Sequence, residues 1–240
     1  GVLGFALAVL IPALGIGAPG ARAADEQPFR ELLAPEFQLP AVWTGDLDGM
    51  VERRVVRVLT TFSKTIYFFD GLSQHGTAYE VLQAFETFIN EELNTPAALP
   101  VRIQIIPVDR DTLLPALAAG HADIATANLT VTPERAELVD FSEPFTDEAR
   151  EVVVTGPAAP AMASLDELAG QTLHLRRSSS YWGSVEALNE ELASRGLPPI
   201  ELVEVDPYLE DEDLLEMVAA GALPWLVVDE HKAAFWVDII

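Results

Sequence analysis

The chain has 240 residues, half of them hydrophobic, with no cysteine and a formal net charge of −24. A chain this apolar can bury a core, so the composition excludes disorder, and the length suits one large domain or two small lobes. The absence of cysteine excludes thiolate catalysis and cysteine-type zinc sites. The strongly acidic balance argues against nucleic acid and anionic lipid as partners.

Residues 1–24 are predicted to be a secretory signal rather than part of the fold. An apolar, uncharged run extends from Val2 to Ile16, and an A-x-A cleavage pattern follows at Ala21 to Ala23. The run is short for a transmembrane helix. Because no positively charged segment or initiator Met precedes it, we expect the sequence to be truncated at its start. We expect an exported, soluble, periplasmic protein that needs no disulfide.

Residues 25–52 carry three prolines and little periodicity, which predicts an N-terminal arm that Trp43 docks on the body. Regular structure is expected to begin near Arg53. In residues 53–150, β-rich runs alternate with helical spacing, which predicts a first lobe with a parallel sheet and helices on its faces. Its predicted elements are strands at Val55–Thr60, Val101–Val108 and Ile124–Ala127, and helices at Thr77–Leu93 and Asp111–Ala119, the second capped by Asp111.

A second alternating unit, residues 151–240, predicts a second lobe, with a cleft between the two. The lobes would be joined near residues 151–160. The predicted elements of this lobe are strands at Glu151–Thr155, Thr172–Leu175, Ile200–Val205 and Trp225–Val228, and helices at Ser164–Leu168, Tyr181–Arg195, Glu210–Ala219 and Glu230–Ile240.

The segment 128–135 is predicted to form a carboxylate-binding corner at the end of a strand. Asn128 and Thr130 supply polar groups, and Thr132 is predicted to cap a helix whose first turn contains Arg135. A helix N-terminus favours an anion, and arginine binds carboxylate in a planar, two-pronged manner. The alternative is that Arg135 is a solvated arginine paired with a glutamate of its own helix.

Aromatic residues occupy a predicted loop at Ser63–Gln74, where they would cover the apolar part of a ligand. They are Tyr67, Phe68 and Phe69. The alternative is that they belong to the core of the lobe, and we expect this of at least two of the three.

Two polar places fall at strand ends in the second lobe. Residues 176–180 (RRSSS) lie between a strand and a helix, so Ser179, Ser180 and the helix N–H groups offer an anion site. The alternative is a plain capped helix with two surface arginines. Asp229 closes the last strand and would bind an ammonium group, or alternatively would cap the helix that follows.

The sequence predicts neither a metal, a cofactor nor a catalytic residue. The four histidines are scattered without ligand spacing. No G-x-S-x-G or Walker A pattern occurs. Carboxylates are abundant, but no facing pair can be singled out for glycoside chemistry.

The string LLPALAAGHADIATANLTVTPERAELVDFSEPF resembles family 3 extracellular solute-binding proteins of the amino-acid-binding type. It contains in order a Leu-x-x-Ala-Leu-x-x-Gly-x-x-Asp run, a Thr-x-Thr-x-x-Arg run and Asp-Phe-Ser-x-Pro-Phe. The resemblance implies an α/β, two-lobed periplasmic-binding-protein-like fold (type II) from about Arg53 onward. It also implies a module that performs no chemistry itself, is expected to be monomeric, and closes on a small ligand like a hinge.

The same resemblance assigns roles to the polar places. Arg135 matches the arginine that binds a ligand α-carboxylate, and Thr130 matches a nearby contact. Ser179 and Ser180 fall where the second lobe contacts the ligand, and Asp229 matches the acid that binds the α-ammonium. These residues would form a zwitterion clamp.

Three further segments, WTGDLDGMVERRVVRVL, RRSSSYW and LEDEDLLEMVAAG, are similar to the N-terminal domain of membrane-bound lytic murein transglycosylase F-like proteins. There, a solute-binding module precedes a lysozyme-like domain whose catalytic glutamate is typically followed by serine. No Glu-Ser dipeptide occurs here, and the chain ends before the crossing that normally completes the first lobe. The resemblance therefore implies a fragment, with a C-terminal transglycosylase domain in the parent protein and association with the outer membrane.

The second-lobe loop departs from the family pattern, because Ser178 replaces the usual glycine and Arg176 and Arg177 add charge. This favours a larger or more acidic ligand, such as a cell-wall peptide. Two alternatives stay open from the sequence. One is a free receptor of an amino-acid ABC transporter, and the other is a dehydratase on the same fold, with Asp229 or His174 as general acid or base.

Overall fold

The computed structural model describes residues 40–144, 150–160 and 162–240, which belong to one compact unit, Leu39–Ile240. The predicted signal at residues 1–24, and the predicted arm before Pro40, lie outside the described residues. Within the described ranges, no helix combines the length and apolarity that crossing a membrane requires.

Helix α1 (Leu47–Arg53) is the first element of the described residues, and it begins earlier than the expected start near Arg53. Trp43 precedes it and fixes this segment on the first lobe. The guanidinium of Arg53 lies 3.9 Å from the centre of a Trp43 ring, and the Trp43 amide donates to the carbonyl of Gly120 at 2.9 Å. The predicted docking by Trp43 is confirmed, with a cation–π contact as part of its cause.

The first lobe is built on a parallel three-stranded sheet in the order β4-β1-β5, as predicted. Strand β1 is central and almost entirely buried. The elements of this lobe after α1 are β1 (Val55–Thr60), β2 (Phe68–Asp70), β3 (Ser73–His75), α2 (Thr77–Glu92), β4 (Arg102–Pro107), α3 (Arg110–Ala118), β5 (Ile124–Ala125) and α4 (Pro133–Ala136).

Three local expectations for this lobe are wrong. Asp109, not Asp111, caps α3, because the helix begins at Arg110 and the Asp109 carboxylate accepts from the amide of Thr112 at 2.9 Å. Strand β5 has two residues rather than four. The predicted loop at Ser63–Gln74 contains the antiparallel β2–β3 hairpin.

The second lobe combines a parallel pair, β7–β8, with an antiparallel pair, β6–β9. Its elements are β6 (Glu151–Thr155), a 3₁₀ turn (Leu165–Leu168), β7 (Thr172–Leu175), α5 (Ser180–Ser194), β8 (Glu201–Glu204), α6 (Asp211–Ala219), β9 (Trp225–Asp229) and α7 (Glu230–Trp236). Helix α7 ends at Trp236, four residues before the predicted end.

Each lobe has its own apolar core among the described residues. One buried cluster lies entirely in the second lobe and is centred on Leu173, Leu175 and Leu192. Two smaller clusters, around Leu59 and Val58, lie in the first lobe. Among the described residues, none of these clusters contains residues of both lobes.

Gly76 is required where the hairpin meets α2. Its φ is +112°, and a Cβ atom there would lie 2.9 Å from the Tyr67 nitrogen and still closer to the Ile66 carbonyl. We expect Gly76→Ala to lower the free energy of unfolding by about 3 kcal/mol, because the strain is both conformational and steric. The control is Gly71→Ala, where φ is +61° and no atom lies within 4 Å of the added Cβ. It should cost about 1 kcal/mol, and equal effects in urea denaturation would contradict the steric argument.

Candidate functional site

The predicted anion corners of the two lobes lie face to face. Thr132 caps α4 as predicted, with its hydroxyl accepting from the Arg135 amide at 3.3 Å. The Arg135 guanidinium donates to the carbonyl of Thr130 at 2.7 Å and, across the lobes, to the carbonyl of Ser178 at 2.7 Å. The Ser180 hydroxyl lies 3.5 Å from that of Thr130. The tertiary structure thus brings polar groups of two segments, residues 130–135 and 178–180, together at one point of the cleft.

Arg135 keeps donors free for a ligand. Within the described ranges, no carboxylate lies within 4 Å of its guanidinium, so the alternative pairing with a helix glutamate is not observed. Burial and the positive charges of Arg110 and Arg176 lower its pKa. Arginine nevertheless stays protonated in proteins, and two of its five N–H groups are used here. An anionic ligand is the natural partner of such a cation.

Ser179 and Ser180 begin α5, but their hydroxyls differ in availability. The Ser179 hydroxyl donates to the carbonyl of Arg176 at 2.8 Å, so it is used to shape the loop. The side chain of Arg176 is buried and ion-paired with Asp211, and it also donates to the carbonyl of Leu209 at 2.7 Å. The alternative of two surface arginines is therefore wrong for Arg176.

Asp229 lies in a buried ionic cluster that the sequence did not predict. Its carboxylate is 2.9 Å from the ammonium of Lys232, which is also 2.7 Å from Asp211 and 3.1 Å from the Tyr181 hydroxyl. Arg176 contacts the other oxygen of Asp211. Asp229 makes no side-chain cap for α7, so the capping alternative is not observed. Its second oxygen, Oδ1, is buried without a hydrogen-bond partner in the described structure.

A second group of charges joins the lobes directly. Arg110 of the first lobe pairs with Glu210 of the second, both nearly buried, with Nε and Oε1 3.0 Å apart. The hydroxyl of Ser63 donates to Glu212. At the rim, Lys64 lies 2.7 Å from a carboxylate oxygen of Glu216. The sequence did not predict these contacts between the lobes, because the acidic run at the start of α6 does not show which cations of the first lobe lie opposite it.

A cavity of about 300 Å³ opens between the lobes beside the clamp. Among the predicted site residues it is lined by Asn128, whose φ of +49° is a left-handed conformation that asparagine tolerates. Its lining includes charged side chains (Arg110, Asp211, Glu212 and Lys232) and apolar ones (Ile66, Phe235 and Trp236). The volume suits a small molecule of amino-acid or dipeptide size.

The three aromatic residues that were predicted to cover a ligand differ in their exposure. Tyr67 is buried and donates its hydroxyl to Gln74 at 2.6 Å, whereas Phe69 is 52% exposed. Phe68 is also exposed and stacks on His75. The expectation that at least two of the three belong to the core is wrong, because Phe68 and Phe69 point to opposite faces of the hairpin and both faces are exposed. Neither Tyr67 nor Phe68 lines the cavity.

In the described part of the chain, no group of three or more histidine or acidic residues could hold a metal ion.

The sequence profile of the bacterial extracellular solute-binding proteins, family 3, matches residues 73–221, more than half of the chain. The chain belongs to this family. The match includes both lobes and therefore agrees with the two-lobed arrangement around the cleft.

Curated relatives include membrane-bound lytic murein transglycosylases F. The chain is 28% identical over 186 residues to one from Alkalilimnicola ehrlichii, covering 78% of this chain and 35% of the relative. It is 30% identical over 183 residues to one from Ectopseudomonas mendocina, covering 75% of this chain and 34% of the relative. The chain thus spans about a third of the length of these relatives. It resembles their solute-binding domain rather than a catalytic domain.

Solved structures confirm the predicted fold class, the type II periplasmic-binding-protein-like fold. An ancestral arginine-binding protein bound to arginine superposes with a TM-score of 0.59 at 23% identity, covering 78% of this chain and 74% of that chain. An ancestral amino-acid-binding protein, a precursor of cyclohexadienyl dehydratase, gives 0.59 at 23%, with coverages of 80% and 78%. A protein of glutathione import in Streptococcus mutans gives 0.61 at 16%, with coverages of 77% and 71%.

Proposed function

We propose that this chain is a periplasmic binding module for an amino-acid-like or peptide ligand, with a muropeptide as the favoured candidate. The observation that carries the proposal is the guanidinium of Arg135, which lies where both lobes present polar groups and has no carboxylate partner in the described part of the chain. A carboxylate would bind Arg135 in two-pronged fashion, with Thr130 and the start of α5 beside it. Asn128 would contact the part of the ligand in the neighbouring cavity.

We propose further that the module regulates or targets a peptidoglycan lytic transglycosylase domain in the same parent protein. The support is the similarity to transglycosylases F, of which this chain spans about a third. Ligand binding would shift the equilibrium between open and closed lobes, and that change would reach an attached domain. Export to the periplasm and association with the outer membrane belong to the same proposal.

The alternative is a free receptor of an amino-acid ABC transporter. It is favoured by the fold, which is that of amino-acid-binding proteins. The two functions differ in what the gene encodes after Ile240. A lysozyme-like domain with a Glu-Ser dipeptide would support the transglycosylase, whereas a stop codon soon after the first lobe is complete would support the receptor.

Ligand screening tests the binding function itself. We expect muropeptides or free amino acids to raise the melting temperature of the protein, because a ligand that binds only the folded state stabilises it. We also expect muropeptides to change the rate of peptidoglycan cleavage by the parent protein. Failure of both ligand classes to shift the melting temperature would contradict the binding function. A shift without an effect on cleavage would contradict only the regulatory role.

A further inference from the structure

The acidic end of the clamp already holds a cation of the chain itself. The ammonium of Lys232 has three N–H donors, and three acceptors surround it: Asp211 at 2.7 Å, Asp229 at 2.9 Å and the Tyr181 hydroxyl at 3.1 Å. All three N–H donors of the ammonium therefore have an acceptor, and the acceptor at Asp229 is the Oδ2 atom. Asp229 is only 3% exposed, so this ion pair is shielded from solvent.

The other carboxylate oxygen of Asp229 nevertheless lacks a hydrogen bond. Its Oδ1 atom is buried and has no hydrogen-bond partner in the described structure. Buried polar atoms without a partner are rare, and each one calls for an explanation. A donor that arrives with the ligand would supply the missing hydrogen bond.

The charge of that donor is constrained by its neighbours. Two carboxylates, Asp211 and Asp229, are balanced by two cations, Arg176 and Lys232. A ligand ammonium on Oδ1 would share one carboxylate with Lys232 and would be repelled by it. A neutral amide N–H would satisfy Oδ1 without adding a second positive charge.

Glu151 is the remaining carboxyl group near this end. It is the register partner of Asp229 in the β6–β9 pair. Burial raises its pKa, and the negative charge of Asp229 raises it further, although hydrogen bonds from Ser184 and Ser180 oppose the shift. Among the described ion pairs, the Lys232 ammonium contacts Asp211 and Asp229 but not Glu151.

We propose that Lys232 takes the place of a ligand ammonium at Asp229, so that the site selects carboxylates whose amino group is acylated. The C-terminal residue of a peptide has this chemistry: a free carboxylate for Arg135 and an amide N–H for Asp229. The inference rests on the proposed binding function and narrows its ligand class. It makes free amino acids poor ligands and peptides good ones.

Matched pairs of ligands test the selection. We would measure, by calorimetry, the affinity of the protein for L-alanine, L-glutamine and L-arginine, for their N-acetyl derivatives, and for L-alanyl-L-alanine. The acylated member of each pair should bind on the order of tenfold more tightly, because it avoids the repulsion from Lys232. Lys232→Ala should reverse this preference, whereas Lys232→Arg, which keeps the cation, should retain it.

Lys64→Ala is the matched control. Lys64 also contacts two carboxylates, Asp213 at 3.0 Å and Glu216 at 2.7 Å, but it is exposed at the rim. Its removal should leave the preference for acylated ligands unchanged.

Two results would overturn the inference while the binding function stands: tighter binding of the free amino acids by the unaltered protein, or an unchanged preference in Lys232→Ala. Binding of neither member of any pair, nor of the dipeptide, would overturn both proposals. The comparison within a pair needs no variant, so it decides the matter even if Lys232→Ala does not fold.

Discussion

Replacing Arg135 with alanine should weaken binding of a carboxylate ligand by about thirtyfold or more. Among the described residues, the guanidinium has only carbonyl partners, at Thr130 and Ser178, so its remaining donors are available to an anion. Loss of one partner of a hydrogen-bonded charge pair costs about 2–5 kcal/mol of binding free energy, which corresponds to about thirtyfold or more. Calorimetric titration of the unaltered and variant proteins with the same ligand measures the effect.

Arg195→Ala is the appropriate control for this change. Arg195 is an exposed arginine at the end of α5, and it pairs with Asp166 at 2.7 Å rather than facing the cleft. The control should therefore bind ligand as the unaltered protein does. If both variants kept full affinity, Arg135 would not be the carboxylate-binding residue, and the proposed clamp would be wrong.

Asp211→Asn should cause the largest loss of stability, about 4 kcal/mol. Asp211 is 5% exposed and lies between two cations, with Arg176 on one carboxylate oxygen and Lys232 on the other. Removing its charge leaves both cations poorly compensated in a buried place, and breaking a buried ion pair in this way costs about 3–5 kcal/mol. Urea denaturation of the two proteins at neutral pH measures the difference in the free energy of unfolding.

The control for Asp211 is an exposed ion pair. Asp166→Asn removes the carboxylate that pairs with Arg195 on the surface. Such pairs contribute about 1 kcal/mol or less. If the two substitutions had equal effects, the buried cluster would not be a main source of the stability of the second lobe.

The pH dependence of stability should follow from the same cluster. Burial by itself would raise the pKa of the Asp211 carboxyl, but the charges of Arg176 and Lys232 outweigh it and hold the pKa well below its ordinary value. A carboxyl with a lowered pKa in the folded state binds fewer protons than in the unfolded state. Its contribution is therefore complete above the ordinary carboxyl pKa and is lost as the pH falls below that range. Asp211→Asn should flatten this part of the acid denaturation curve.

The local sequence pattern was sufficient to predict most of the helices and strands. Strands β1 and β7 have the predicted bounds, α2 ends one residue before its predicted end, and α5 begins and ends one residue earlier than predicted. In these segments, the alternation of apolar residues and the turn residues beside them both favour one structure. The hairpin at residues 68–75 was missed because its two strands of three residues are too short to show a period.

The sequence by itself predicted the α/β fold class and the helix start that contains Arg135, because hydrophobic periodicity and a helix cap are encoded by neighbouring residues. Only the tertiary structure decided the partners of the buried charges: Lys232 on Asp229, Arg176 on Asp211 and Arg110 on Glu210. Of these, Arg176 and Asp211 are 35 residues apart, and Arg110 and Glu210 are 100 apart. In a chain with 38 acidic residues and 14 basic ones, a cation has many candidate partners, and packing selects among them through desolvation and distance.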